Sequence, residues 1–151
     1  MIKISILIPV YNEEATIINL LKSVQKEISK IKTVNFEIIV IDDCSNDNTS
    51  KLLKENENLY NHVISLEKNQ GKGGAILQGL EKAKGEFILF QDADLEYSPK
   101  DYKTLIRPIV DFDVDVVMGS RFLAPQFTRV HYFWHKVGNW GLTLLFNILN
   151  N

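Results

Sequence analysis

The sequence predicts an α/β fold: a Rossmann-like, mostly parallel sheet flanked by helices. Three observations predict it. Apolar, β-branched runs alternate with segments whose apolar residues recur at helical spacing. The runs are apolar on both faces, as strands covered by helices on two sides must be. Acidic and glycine-rich clusters fall where the runs end, and α/β sheets bind ligands at the carboxyl ends of their strands.

Ile4 to Val10 is an apolar run closed by Pro9-Val10, the pattern of a buried parallel strand. Ile17, Leu21, Val24, Ile28 and Ile31 follow at helical spacing, and Glu13 and Glu14 suit the positive end of that helix. Phe36 to Ile41 reads as a second strand ending at Asp42-Asp43. Asp47 or Asn48 then caps a helix through Leu52 and Leu53. His62 to Leu66 is a weaker strand leading into Asn69-Gln70-Gly71-Lys72-Gly73-Gly74, after which Ala75, Leu77, Leu80 and Ala83 mark a helix. Phe87 to Phe90 is a fourth strand, Ser98-Pro99 opens another helix, and Val114 to Gly119 is expected to be a fifth strand.

Composition narrows the function classes. A chain of 151 residues with 45% hydrophobic and 24% charged residues suits one domain with a packed core. Its 17 basic and 19 acidic side chains leave a formal net charge of −2, so no global field draws nucleic acid and any phosphate must be held locally. The single cysteine, Cys44, excludes an internal disulfide, and three histidines do not build a zinc site around it. Without a signal-peptide pattern or an uncharged apolar run of roughly 20 residues, the reading is a cytoplasmic domain.

The strongest chemical signal is Asp92-Ala93-Asp94-Leu95-Glu96, just past a buried strand. Asp92 and Asp94 can turn toward one point, with Glu96 a third oxygen ligand. Oxygen-only donors favour Mg²⁺ or Mn²⁺ shared with substrate phosphates. The bland alternative is an acidic turn whose aspartates bond their own backbone. In Asp42-Asp43 one carboxylate is expected to serve the next helix and the other to accept bonds from a nucleobase or ribose. Cys44 is expected to be a small buried filler. The glycines at 71, 73 and 74 fail both the dinucleotide and the P-loop patterns, leaving a helix-entry turn with Lys72 near a diphosphate. Arg121, at the end of the fifth run, suits phosphate oxygens.

The last stretch differs. From Val137 to Asn151 there is no charge, and Asn139, Thr143 and Asn147 form one narrow polar stripe. Such a helix is expected to pack on protein or a membrane surface, or to pair two copies of the chain.

Tyr11-Asn12-Glu13-Glu14, Asp42-Asp43-x-Ser45-x-Asp47-x-Thr49, Asn69-x-Gly71-Lys72-Gly73, Asp92-Ala93-Asp94 and Gly119-Ser120-Arg121 occur in the order seen in family 2 glycosyltransferases of the GT-A fold. The sequence most resembles the branch acting on dolichyl or polyprenyl phosphate. The resemblance implies a metal-dependent inverting transferase that moves a sugar from a UDP- or GDP-sugar to a lipid phosphate. It implies that Pro9, Tyr11 and Glu13 line the nucleotide, that Asp43 reaches the base, and that Asp92, Ala93 and Asp94 meet ribose, diphosphate and metal. Glu96 stands where a third ligand is found, and Arg121 faces the acceptor phosphate. It divides the chain into a donor-binding core over 1–130 and an acceptor-side helix over 131–151, after which complete members continue. A lipid acceptor implies peripheral contact with the cytoplasmic membrane face. A glycan hydroxyl acceptor and a non-catalytic nucleotide-sugar-binding module are the alternatives.

Overall fold

Four strands form one sheet: β1 (Ile2–Val10), β2 (Val34–Asp42), β3 (His62–Ser65) and β4 (Phe87–Phe90). In the computed structural model, which describes residues 1–112 and 114–119, they run in the order β3-β2-β1-β4 with every pairing parallel. The β1–β2 register pairs Ile6 with Ile38, and β4 enters later, with Ile4 opposite Phe87. Parallel neighbours require crossovers. These are α1 (Ile17–Ile28), α2 (Thr49–Glu55) and α3 (Gly71–Lys82), with α4 (Tyr102–Phe112) after β4.

The two faces of β1 sort by the period of two that a strand imposes. Ile4, Ile6, Ile8 and Val10 are buried in one core with Ile17, Leu20, Leu21 and Val24 of α1, Leu53 of α2, and Tyr102 and Ile106 of α4. Leu7 faces the opposite side, where it joins Ile39, Ile41 and Ala75 of α3 in a smaller cluster. Each such Ile or Leu contributes about 1.5–3 kcal/mol on burial. The α3 helix comes close because Gly79 faces the sheet: a Cβ there would lie 2.8 Å from Ile41 Cδ1 and 3.3 Å from Leu7 Cδ1.

The amino ends of the strands are tied by a charged knot. Glu37 on β2 is nearly buried, and its Oε1 accepts from Ser5 Oγ and the Lys84 amide, both at 2.5 Å, while Lys3 Nζ lies 2.9 Å from Oε2. Burial alone would raise this carboxyl's pKa. The hydrogen bonds from Ser5, Lys3 and Lys84, with the Lys3 charge, outweigh burial and lower it to about 2. The Gly85 amide donates to Ser5 Oγ at 2.8 Å, completing the knot.

Two expectations are corrected. Val114 to Gly119 forms no strand, and Val116 and Met118 are largely exposed. β-branched composition favours a strand, but a strand exists only where its backbone groups find a ladder, and among the described residues β4 pairs with β1 alone. Helix α1 starts at Ile17, and the glutamates expected at its positive end lie before its first turn: the Glu13 carbonyl accepts from Thr16 and Ile17, and the Glu14 carboxylate serves α2 instead.

Residues Met1–Val117 form one compact unit, and everything described below lies in it. The expected boundary at 130/131, the expected helix over 131–151 with its membrane contact and pairing of copies, and Arg121 lie outside the described residues. Among the described residues no helix is long and apolar enough to cross a membrane.

Candidate functional site

The carboxyl ends of β1, β2 and β4 and the first turn of α3 converge on a cleft of about 180 Å³. Pro9, Val10, Tyr11 and Glu13 line it from β1 and its loop, Asp43 from β2, Lys72 and Ala75 from α3, and Asp92, Ala93 and Asp94 from the turn after β4. Eight of the residues predicted to bind nucleotide or metal therefore meet in one place: Pro9, Tyr11, Glu13, Asp43, Lys72, Asp92, Ala93 and Asp94. Sequence reasoning missed Val10 and Ala75, the apolar wall. Their signal was their place, one at a strand's last residue and the other one turn into a helix.

The other polar residues of the first two motifs bind one another. Asn12, with φ +56°, donates its amide to Ser45 Oγ at 3.0 Å and accepts from the Asn46 amide at 2.7 Å through Oδ1. The Glu13 amide donates to Thr49 Oγ1 at 2.9 Å. Asp47 Oδ1 accepts from the Thr49 amide at 2.9 Å, so Asp47 holds the first amide of α2 from the residue before its N-cap, Asn48. Burial pushes the Asp47 carboxyl up, but bonds from Thr49 and the Glu14 amide leave it below the usual carboxylate range. Glu14 Oε2 accepts from the Asn48 amide and side chain, both at 2.8 Å. This lattice locks the loop after β1 to the loop after β2 and fixes Tyr11 and Glu13 at the rim.

The structure divides the Asp42-Asp43 pair. Asp42 is buried, and its carboxylate accepts from the Ser45 amide at 3.0 Å and from the Ser50 hydroxyl, so it serves the loop and does not line the cleft. Asp43 lines the cleft while its Oδ1 accepts from the Gln70 amide at 2.7 Å. That bond anchors the entry to α3, where Gly71 takes φ +74°, a conformation that favours glycine. Cys44 is half-buried with φ +63°, a turn residue rather than the expected buried filler.

One ion pair spans the cleft, among charged lining residues that are otherwise acidic. Lys72 Nζ lies 2.6 Å from Asp92 Oδ1, with the lysine 60% exposed and the aspartate 19%. An exposed ammonium held this way is a movable partner: it can trade the carboxylate for a phosphate at small cost. Asp94 Oδ1 accepts from the Glu96 amide at 2.9 Å, and Leu95 between them takes φ +63°. The bland prediction, a turn bonding its own backbone, is thus realised alongside the lining role. Glu96 does not line the cleft, and among the described residues no group of three or more acids, histidines or cysteines is assembled to hold a metal. The Asp92 and Asp94 carboxylates fit an oxygen-seeking cation that completes its shell with substrate phosphates and water, and do not make an all-protein cage.

Comparison with known proteins decides the family. The model of "Glycosyl transferase family 2" matches residues 5–146. The chain belongs to this family. Within it, the chain is 35% identical over 160 aligned positions to a UDP-N-acetylglucosamine–dolichyl-phosphate N-acetylglucosaminyltransferase of Methanococcus voltae, covering 94% of this chain and 61% of that protein. Among solved structures it resembles S. aureus TarS 1-349 in complex with UDP, at 32% identity and a TM-score of 0.64, covering 81% of this chain and 40% of that one. It also resembles glucosyl-3-phosphoglycerate synthase of Mycobacterium tuberculosis in complex with Mn²⁺, UDP and glucosyl-3-phosphoglycerate, at 27% identity and a TM-score of 0.59, covering 73% and 40%. The sheet is accordingly that of a GT-A glycosyltransferase, and the chain spans 61% of the Methanococcus protein and 40% of each of the two solved structures.

Proposed function

We propose that this chain is the donor-binding half of an inverting glycosyltransferase that moves a sugar from a nucleoside-diphosphate sugar to a polyprenyl, dolichyl-type phosphate. The observation that carries this reading is the convergence of Asp43, Lys72, Asp92 and Asp94 on one cleft at the strand ends of a family 2 fold. The UDP held by TarS and the dolichyl phosphate named for the Methanococcus relative support the donor and acceptor classes.

The residues divide the work. Tyr11, Pro9 and Val10 offer surface to the nucleoside, and the buried Asp43 carboxylate accepts from the base or ribose while holding the α3 entry. Lys72 releases Asp92 and turns to the diphosphate, where a cation suits a doubly charged group. Asp92 and Asp94 then hold Mg²⁺ or Mn²⁺, which when bound neutralises the charge that builds on the leaving diphosphate. Arg121 is assigned to the acceptor phosphate. A lipid phosphate is already an anionic nucleophile and needs no base to remove a proton. Its polyprenyl chain resides in a bilayer, so the enzyme works peripherally at the cytoplasmic membrane face.

The test is a thermal-shift panel of UDP, GDP and their sugars with Mn²⁺ and with chelator, followed by a transfer assay of the full-length protein on polyprenyl phosphate. A preferred nucleotide at 100 times its dissociation constant adds about 2.7 kcal/mol of stability. No stabilisation by any nucleotide, or transfer only to a glycan hydroxyl, overturns the reading.

A further inference from the structure

The turn that carries Asp92 and Asp94 is held by a residue that no part of the proposed chemistry uses. Gln91 follows β4, donates its amide to the Leu7 carbonyl at 3.0 Å, and is 1% exposed. Its Nε2 donates to the Asp92 carbonyl at 2.9 Å and to the Tyr97 carbonyl at 3.0 Å. Its Oε1 accepts from the Tyr102 hydroxyl at 2.8 Å. One buried side-chain amide thus ties the chain leaving the sheet at Asp92 to the chain returning at Tyr97. Carbonyl oxygens only accept, so the two carbonyls require the NH₂ group on their side, and the tyrosine hydroxyl then serves as donor on the other. No other orientation satisfies all three partners.

We infer that Gln91 and Tyr102 are positioning residues that set the spacing of Asp92 and Asp94 for a shared divalent cation; the inference rests on the donor-site reading above. The two ties bracket the part of the turn that lines the cleft, Asp92, Ala93 and Asp94, and a leucine at φ +63°, a left-handed backbone that L side chains rarely adopt. A strained turn persists only where its surroundings over-determine it. The Gln91 amide supplies that determination from inside, since Ala93 is itself buried and the Asp94–Glu96 bond is exposed to water. Tyr102 is fixed in turn: it is 2% exposed, opens α4, and packs in the main core with Ile106. Burial holds its hydroxyl well above the ordinary tyrosine range, so it is a donor at neutral pH. The core thereby reaches the carboxylates through α4, Tyr102 and Gln91.

The full-length protein tests this with Gln91→Met, which keeps length and removes all three bonds, and Tyr102→Phe, which keeps the ring and removes only the donor. Two readouts are taken: hydrogen exchange of amides 93–97 without ligand, and calorimetric titration with UDP and with GDP, each with Mn²⁺ and with chelator. Orienting groups behind metal ligands are worth about 10–100-fold in metal affinity. Q91M is expected to speed exchange in the turn and to weaken Mn²⁺-dependent nucleotide binding about tenfold, while metal-free binding changes less than about threefold. Y102F is expected to move both readouts the same way by less. Wild-type exchange and wild-type affinity in folded Q91M and Y102F overturn the inference. So does an equal loss with and without metal, which would make the bonds general support for the cleft. If Q91M does not fold, Y102F decides alone. If the wild-type protein binds neither nucleotide, the donor-site reading fails, and the exchange arm still decides whether Gln91 and Tyr102 hold the turn.

Discussion

Glu37→Gln is the perturbation whose size the structure fixes most closely. Glu37 lies at the opposite end of the sheet from the cleft, with its carboxylate held by Ser5, Lys84 and Lys3. Its pKa falls from an ordinary 4.5 to about 2 on folding. A lowered native pKa means the folded state holds the charged form more tightly than the unfolded chain does, so the stability gained is full above about pH 4.5 and is lost as pH falls through about 2. The shift corresponds to roughly 3 kcal/mol, at about 1.36 kcal/mol per pH unit. About 2 kcal/mol of it should already be gone at pH 3. Glutamine keeps an acceptor for Ser5 and Lys84 but removes the titrating charge. Urea unfolding of both proteins from pH 7 to pH 3 should show a stability gap of about 2–3 kcal/mol at neutral pH that closes by about 2 kcal/mol at the acid end. Subtracting one curve from the other removes the remaining carboxylates, Asp47 included. A gap that stays constant over that range would refute the argument, because the charge of Glu37 would then carry no part of the stability.

Other outcomes follow from the same geometry. Asp94→Ala should abolish the difference between nucleotide binding in Mn²⁺ and in chelator while leaving the melting temperature nearly unchanged, read by calorimetry and thermal shift. Lys72→Met should weaken UDP or GDP binding by at least about tenfold if the lysine moves from Asp92 to the diphosphate, and unchanged affinity would leave it a surface ion pair worth under about 1 kcal/mol. Gly79→Val should destabilise the fold by about 1–3 kcal/mol in chemical denaturation, because its Cβ meets Ile41 Cδ1 at 2.8 Å and either that buried side chain or the helix must give way.

Most of the fold was legible because the alternation of strand and helix rests on periodicity, which tertiary context seldom reverses. Val114 to Gly119 shows the limit: its composition is that of a strand, yet pairing decides, and pairing is a property of a neighbour that no local pattern contains. The site was legible as a set of strand ends. Which member of each cluster reaches the cleft was not, because that depends on hydrogen bonds between loops far apart in sequence. Asp42 and Asp43 look alike in the chain. Ser45 and Ser50 take one, and the cleft keeps the other. Gln91 and Tyr102 were invisible for the same reason: nothing marks a glutamine beside two aspartates until Tyr97 and Tyr102 are seen to close on it.

Everything proposed for this chain requires the cleft between β1, β2, β4 and α3 to hold a nucleoside diphosphate. Amide NMR during titration with UDP and GDP in the presence of Mg²⁺ locates such binding, since each resonance reports its own place. Saturable shifts are expected at Tyr11, Asp43, Lys72, Ala75 and the 92–96 turn, with the amino-end knot around Glu37 and Ser5 unmoved. Saturable shifts centred elsewhere, or none with either nucleotide at millimolar concentration, would contradict it.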